Sequence, residues 1–175
     1  SDRPEKARLN AIPEALGFNR YPYWYDDRNS MRMLTDAIFA ANPGRKSIAI
    51  AEYGAGGSCG QHGDAGTPCV YNGDFHSEEY EAYVHALDYR DIAADERLWG
   101  SFVWCMYDFG SDCRLEGARH GLNDKGLVSF DHRIRKEAWW LYRAAWSQEP
   151  VLHLVGKNWK ATTNAVATVL AFSNR

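Results

Sequence analysis

The chain has 175 residues, with Lys+Arg 20 against Asp+Glu 23 and a formal net charge of -3, and no basic stripe that would capture nucleic-acid phosphates. Hydrophobic residues at 45% and charged residues at 25% describe a chain able to bury a core, and no apolar run approaches the roughly 20 residues of a membrane span. The length suits one ordinary domain but falls well short of the roughly 250 residues of a complete eight-stranded α/β barrel.

Three units of apolar strand, polar loop and amphipathic helix follow in order, the pattern of a parallel α/β sheet. The first strand runs from Ala15 to Tyr21. After a loop ending at Ser30, a suitable N-cap, Leu34, Ala37, Ile38 and Ala41 fall on one face of a helix that Asn42-Pro43-Gly44 stops. The second strand, Ser47 to Ala51, is apolar on both faces and delivers Glu52 at its C-terminal end. The segment from Tyr53 to Phe75 holds Gly, Asp and His and is too long for a simple connector, so it reads as a functional loop. Ser77, Glu78 and Glu79 open a second helix with Tyr80, Tyr83, Val84 and Leu87 as its apolar face, the acids favouring the positive helix end.

The third strand spans Leu98 to Met106, and a second long loop continues from Tyr107 to about Asn123. The last helix, about Arg135 to Trp146, places Ala138, Leu141, Tyr142 and Ala145 on one side before Glu149-Pro150 breaks it. From Val151 the character changes to short β-like runs, Val151 to Leu154 and Ala165 to Phe172, without an intervening helix. A domain boundary is therefore expected near Pro150.

Parallel α/β folds gather functional groups beyond the carboxyl ends of their strands, where several loops meet. Tyr21, Glu52, Trp104 and Asn123 all fall at such places. A carboxylate straight after a buried strand is costly unless it is partnered, and either function or an ordinary ion pair with an Arg accounts for Glu52. The 7 Trp and 10 Tyr suit a core or the apolar faces of sugar rings equally well. Cys59, Cys69, Cys105 and Cys113 show no Cys-x-x-Cys and no zinc spacing. His62, His76, His85, His120, His132 and His153 are scattered and read as solvent or helix-face residues. Neither a metal nor a cofactor is expected. Asp108 and Asp112 read as a capped turn, and Ser58 does not sit in a nucleophile elbow.

Five strings in order, Asn19-Arg-Tyr-Pro-Tyr-Trp-Tyr25, Ala51-Glu-Tyr-Gly-Ala-Gly56, Trp99-Gly-Ser-Phe-Val-Trp104, Asp108-Phe-Gly-Ser-Asp112 and Gly121-Leu-Asn-Asp-Lys-Gly-Leu-Val128, resemble successive motifs of glycoside hydrolase family 2. That family includes β-galactosidases and β-glucuronidases, and the resemblance covers almost the whole chain. It implies an α/β fold in which residues 1–149 form about strands six to eight of a (β/α)8 TIM barrel. Residues 150–175 would then begin a C-terminal β-sandwich domain.

The resemblance assigns Glu52 as the catalytic nucleophile of a retaining mechanism and Tyr21 as the hydroxyl that donates to it. Asn19 and Tyr25 match neighbouring pocket positions, and Trp104 matches the tryptophan that floors the sugar subsite. Asn123 and Lys125, with Arg119 four residues before the Asn, match the grip that β-glucuronidases hold on a uronate carboxylate. The longer string Asn-Asp-Lys-Gly-Leu-Val also resembles family members that act on galactosides, so a terminal β-galactoside is the expected substrate and a β-glucuronide the alternative. The family's acid/base glutamate follows an Asn, and no Asn-Glu occurs here. The chain is thus expected to work with the remaining barrel strands or to self-associate. A non-catalytic carbohydrate-binding or structural fragment is the competing expectation.

Overall fold

The computed structural model describes residues 8–26, 28–45, 47–157 and 169–175. After a 3-10 turn at Arg8–Ala11 come β1 (Leu16–Asn19), α1 (Met31–Ala41), β2 (Ile48–Tyr53), α2 (Glu78–Ala93) and β3 (Leu98–Val103). Then follow the short β4 (Phe109–Gly110) and β5 (Leu122–Asn123), α3 (Glu137–Trp146), β6 (Leu152–Leu154) and β7 (Ala171–Ser173).

The first three strands form one parallel sheet in the order β1-β2-β3. The central strand is the apolar one, as burial on both faces requires: Ile48, Ala49 and Ile50 are essentially inaccessible. Register places Asn19 opposite Glu52 and Tyr53 opposite Val103, so the three strands end side by side. The expected extension of the third strand to Met106 stops at Val103 because the chain changes partner there. Trp104 N–H still donates to Tyr53 O at 3.0 Å, whereas Cys105 N–H donates to Lys125 O at 2.9 Å.

Ser30 caps α1 by accepting from Met33 N–H at 3.3 Å, and Ser77 caps α2 by accepting from Tyr80 N–H at 3.2 Å. The inward face of α1 differs from the expected one. Met31, Thr35, Ile38 and the following Asn42 are buried while Ala37 is exposed. The helix is rotated so that the larger Met31 fills the core and Leu34 reaches the cavity described below. In α2, Tyr80 and Val84 are buried as expected, but so are Glu78, Glu79, Glu81, His85 and Asp88, with Tyr83 and Leu87 only half-buried. The opening acids do more than face the helix end, for they tie down the Tyr53–Phe75 loop. Glu78 accepts from Gly60 N–H at 3.1 Å, and Glu79 accepts from Gly63 N–H at 3.0 Å. In α3, Ala138 and Tyr142 are buried and Ala145 is exposed, Ala144 taking its place inside.

β6 and β7 pair antiparallel, Leu152 opposite Ser173. Residues 165–168 of the expected run ending at Phe172 lie outside the described residues. Val151, Val155 and Phe172 join the same buried cluster as Leu16, Ile48 and Tyr142, so the pair closes one end of the core.

Within the described residues β3 is an edge strand of the sheet, and it and its extension expose Trp99, Phe102, Met106 and Tyr107. An edge of parallel sheet beside exposed rings is a surface that folded monomers avoid. The purified 175-residue chain is therefore expected to elute from gel filtration above its monomer mass or to bind a hydrophobic dye; a dye-negative monomer would contradict this.

Candidate active site

The carboxyl ends of β1, β2 and β3 open onto one cavity of about 790 Å³. Seven of the eight residues singled out in the sequence line it: Asn19, Tyr21, Tyr25, Glu52, Trp104, Asn123 and Lys125. The eighth, Arg119, is exposed and lines a separate cavity of about 310 Å³ together with Ser58, Asp108 and Asp124.

Two bonds fix Glu52. Its carbonyl accepts from Arg20 N–H at 2.8 Å, continuing the β1–β2 ladder, and its Oε2 accepts from the Tyr21 hydroxyl at 2.8 Å. Burial, and then the carboxylate beside it, raise the Tyr21 pKa well above that of a free phenol, so the hydroxyl keeps its proton and donates throughout the neutral range. A single donor on Oε2 holds this half-buried carboxylate in one orientation.

Two cations line the same cavity. Lys125 Nζ lies 5.3 Å from the ring centres of both Trp24 and Tyr25, and Arg114 Nη1 approaches the Tyr25 hydroxyl at 3.5 Å while pairing with Glu116 at 2.7 Å. Burial pushes the Tyr25 pKa up, yet Lys125 and then Arg114 outweigh it and draw the phenol below its ordinary value. Asn123 turns its Oδ1 back to accept from Lys125 N–H at 3.1 Å, which leaves its NH2 as the end presented to a ligand. Trp104 stands edge-on to Phe109, ring centres 5.8 Å apart, at a cis peptide to Cys105.

The cavity holds a second carboxyl, Asp26. Donation from Asn29 at 2.6 Å, outweighing burial and aided by Arg28 N–H at 3.0 Å, lowers its pKa. It is therefore held ionised, the opposite of what a proton donor needs.

Behind this wall the structure departs from the expectation for the histidines. His76, His85 and His153 are buried and bonded, His85 on the inward face of α2: His76 to Asp124 at 2.8 Å, His85 to Tyr142 at 2.7 Å and His153 to Glu137 at 2.5 Å. Asp108, read as a turn residue, is likewise buried; it accepts from Gly126 N–H at 2.8 Å and pairs with Lys136 at 2.9 Å. Ser58 donates to Asp124 at 2.7 Å and not to a histidine, so the Ser58, His76 and Asp124 cluster is not arranged as a nucleophile relay. Among the described residues no group of His, Cys, Asp and Glu is arranged to hold a metal ion, and the four cysteines are unbridged.

Sequence reasoning missed Arg114 and the buried Lys136. Arg114 carried a signal, being a cation in a long loop that follows a strand. Lys136 carried none, because a lysine at a helix start reads as solvated.

His85 adds a pH-dependent brace to the loop after β2. Its Nε2 accepts from Ala55 N–H at 3.4 Å, and burial first, then Lys136, lowers its pKa from 6.5 to about 3. The unfolded chain takes that proton near pH 6.5 and the folded one only near pH 3, so the stability it confers is complete above about pH 6.5 and is lost as pH falls toward 3. Between pH 7 and pH 4.5 the unfolding midpoint of the parent protein is expected to drop further than that of His85→Gln; equal drops would rule out a neutral buried His85.

No protein-family model matches the chain. It is 37% identical over 171 residues to a β-glucuronidase of Bacteroides fragilis, a match covering 97% of this chain and 24% of that protein. Among solved structures it is similar to an FMN-binding β-glucuronidase from Facaelibacterium prausnitzii L2-6, with 32% identity, a TM-score of 0.77, and 89% of this chain and 24% of the other covered. It is also similar to a GH2 β-galacturonidase from Eisenbergiella tayi bound to galacturonate, with 26% identity, a TM-score of 0.60, and 73% of this chain and 22% of that one covered. The chain thus spans about a quarter of the length of the relatives it matches.

Proposed function

We propose, for a chain that is a homologue of the β-glucuronidases and β-galactosidases of glycoside hydrolase family 2, that it carries the nucleophile and the sugar-recognition segment of a retaining β-glycosidase acting on β-linked hexuronides. One observation carries the reading: Glu52, held by Tyr21 at 2.8 Å, shares a cavity with Lys125 and Asn123. In our reading residues 1–149 are the closing part of a (β/α)8 barrel, strands six to eight, and residues 150–175 begin the following β-sandwich.

Glu52 attacks the anomeric carbon, a carbon–oxygen bond forms to the enzyme, and the bond to the leaving oxygen breaks. Water then attacks the same carbon, giving its proton to the carboxylate that had protonated the leaving oxygen, and the bond to Glu52 breaks. Tyr21 donates to Oε2 throughout, which leaves Oε1 to react. Trp104 offers a ring face to the C–H bonds of the sugar. The uronate carboxylate meets the Lys125 ammonium and the Asn123 NH2, with Arg114 on the same side. Protonation of the leaving oxygen needs a second carboxyl about 5 to 5.5 Å from the nucleophile. Asp26, held ionised, does not fit that role, so we assign it to a part of the barrel outside this segment.

The neutral β-galactoside expected from the sequence is the second reading, favoured by the placement of Arg119, the third member of the expected carboxylate grip, in another cavity. A non-catalytic sugar-binding fragment would bind without releasing product.

In the assembled barrel, Glu52→Gln is expected to lower kcat more than about 1000-fold, as loss of a reacting side chain does, while still binding sugar; unchanged turnover would remove Glu52 from the nucleophile role. Losing a charged hydrogen bond costs about 1.5–3 kcal/mol, so Lys125→Ala is expected to raise KM for an aryl β-glucuronide about 10- to 100-fold and to spare an aryl β-galactoside. A loss on both substrates alike would favour the galactoside reading.

A further inference from the structure

We propose that Asp124 and Lys136 are positioning residues that set where the Asn123 amide and the Lys125 ammonium stand relative to Glu52, and so govern how strongly the site prefers a uronide to a neutral hexoside. The inference rests on the hexuronide reading and deepens it.

Side chains of successive residues in this segment face opposite sides: Asn123 and Lys125 line the cavity of Glu52, and Asp124 lines the cavity behind it. Asp124 is held at both its Oδ2 and its carbonyl. Its Oδ2 accepts from Ser58 at 2.7 Å and from His76 at 2.8 Å, and its carbonyl accepts from Lys136 Nζ at 2.7 Å and from Gly57 N–H at 3.0 Å. Gly57 and Ser58 belong to the loop that leaves the nucleophile strand, so the same clamp fixes both halves of the site.

Space is as tight as the bonding. A Cβ on Gly56 would lie 2.6 Å from Asp124 Oδ1, and one on Gly117 2.6 Å from its Oδ2. Lys136 completes the clamp. Fully buried, it donates to Gly57 O at 2.6 Å and pairs with Asp108 at 2.9 Å, and Asp108 in turn accepts from Gly126 N–H at 2.8 Å. Residues on both sides of Lys125 are thereby anchored to one ammonium.

Neither Asp124 nor Lys136 lines the cavity of Glu52, so their effect on substrate passes through Asn123 and Lys125. A misplacement of about 1 Å costs up to about 100-fold in rate, and only a substrate with a carboxylate there feels it fully.

The test compares kcat and KM for aryl β-glucuronide and aryl β-galactoside in the assembled barrel. Asp124→Asn keeps the shape and removes the charge that Ser58 and His76 hold; Ser58→Ala removes one of the two donors and serves should the first variant fold poorly. Each is expected to lower the glucuronide-to-galactoside ratio of kcat/KM about 10-fold or more, chiefly through KM for the glucuronide. Equal losses on both substrates, or an unchanged ratio with native thermal stability, would overturn the inference. Lys125→Ala run alongside separates the two levels: if it shifts the ratio and Asp124→Asn does not, positioning fails while the hexuronide reading stands; if Lys125→Ala leaves the ratio unmoved, both fall together.

Discussion

A single buried ammonium organises the back of the site. Lys136 is fully buried and donates to two backbone carbonyls, Gly57 and Asp124, and to two carboxylates, Asp108 and Glu81. Burial alone would strip its proton, but the two carboxylates reverse that and raise its pKa above the ordinary lysine value. Removing one partner from such a buried arrangement costs about 3–5 kcal/mol, because it strands the other charge. The cluster stabilises the fold little in net terms, since desolvation offsets most of the attraction. Its contribution is geometric: three loops, after β2, after β3 and after β5, cannot move independently.

The front of the site is polarised by the same logic at lower cost. Glu52 faces Tyr21, a phenol held protonated, whereas Tyr25 faces Lys125 and Arg114 and is drawn the other way. Two tyrosines 5.2 Å apart therefore mark the negative and positive halves of one cavity. A sugar with a carboxylate at one end and a reacting carbon at the other matches that separation of charge. Without such a carboxylate Lys125 has only the Trp24 and Tyr25 rings and the Tyr25 hydroxyl before it.

The alternation of strand, loop and helix was legible because it rests on local chemistry: apolar runs for buried parallel strands, and Ser30 and Ser77 as caps. Tyr21 and Glu52 were legible from motif and strand-end position together. What could not be read was the buried polar interior. His76, His85, Glu81 and Lys136 are residue types that usually face water, and their partners lie far along the chain, Lys136 and Glu81 being 55 positions apart. Nothing in a hydrophobic period marks a helix face whose inward residues are acids, and α2 is such a helix. Arg119 failed for a related reason: spacing from Asn123 was a sound guide along the chain, but Gly121, with φ of 77°, turns the backbone between them, and Arg114 reaches the cavity instead.

The open edge bears on the same constraint. β2 is sealed between its neighbours, whereas β3 is an edge strand among the described residues, and its Trp99 and Phe102 stand exposed. The clamp around Asp124 and Lys136 does not depend on that edge, because every bond it makes lies within this segment. The orientations of Glu52, Asn123 and Lys125 are thus set by bonds within this segment. On the proposed reading, this segment holds the attacking carboxylate in place through Tyr21, and the proton for the leaving oxygen comes from a carboxyl that the rest of the barrel brings to it.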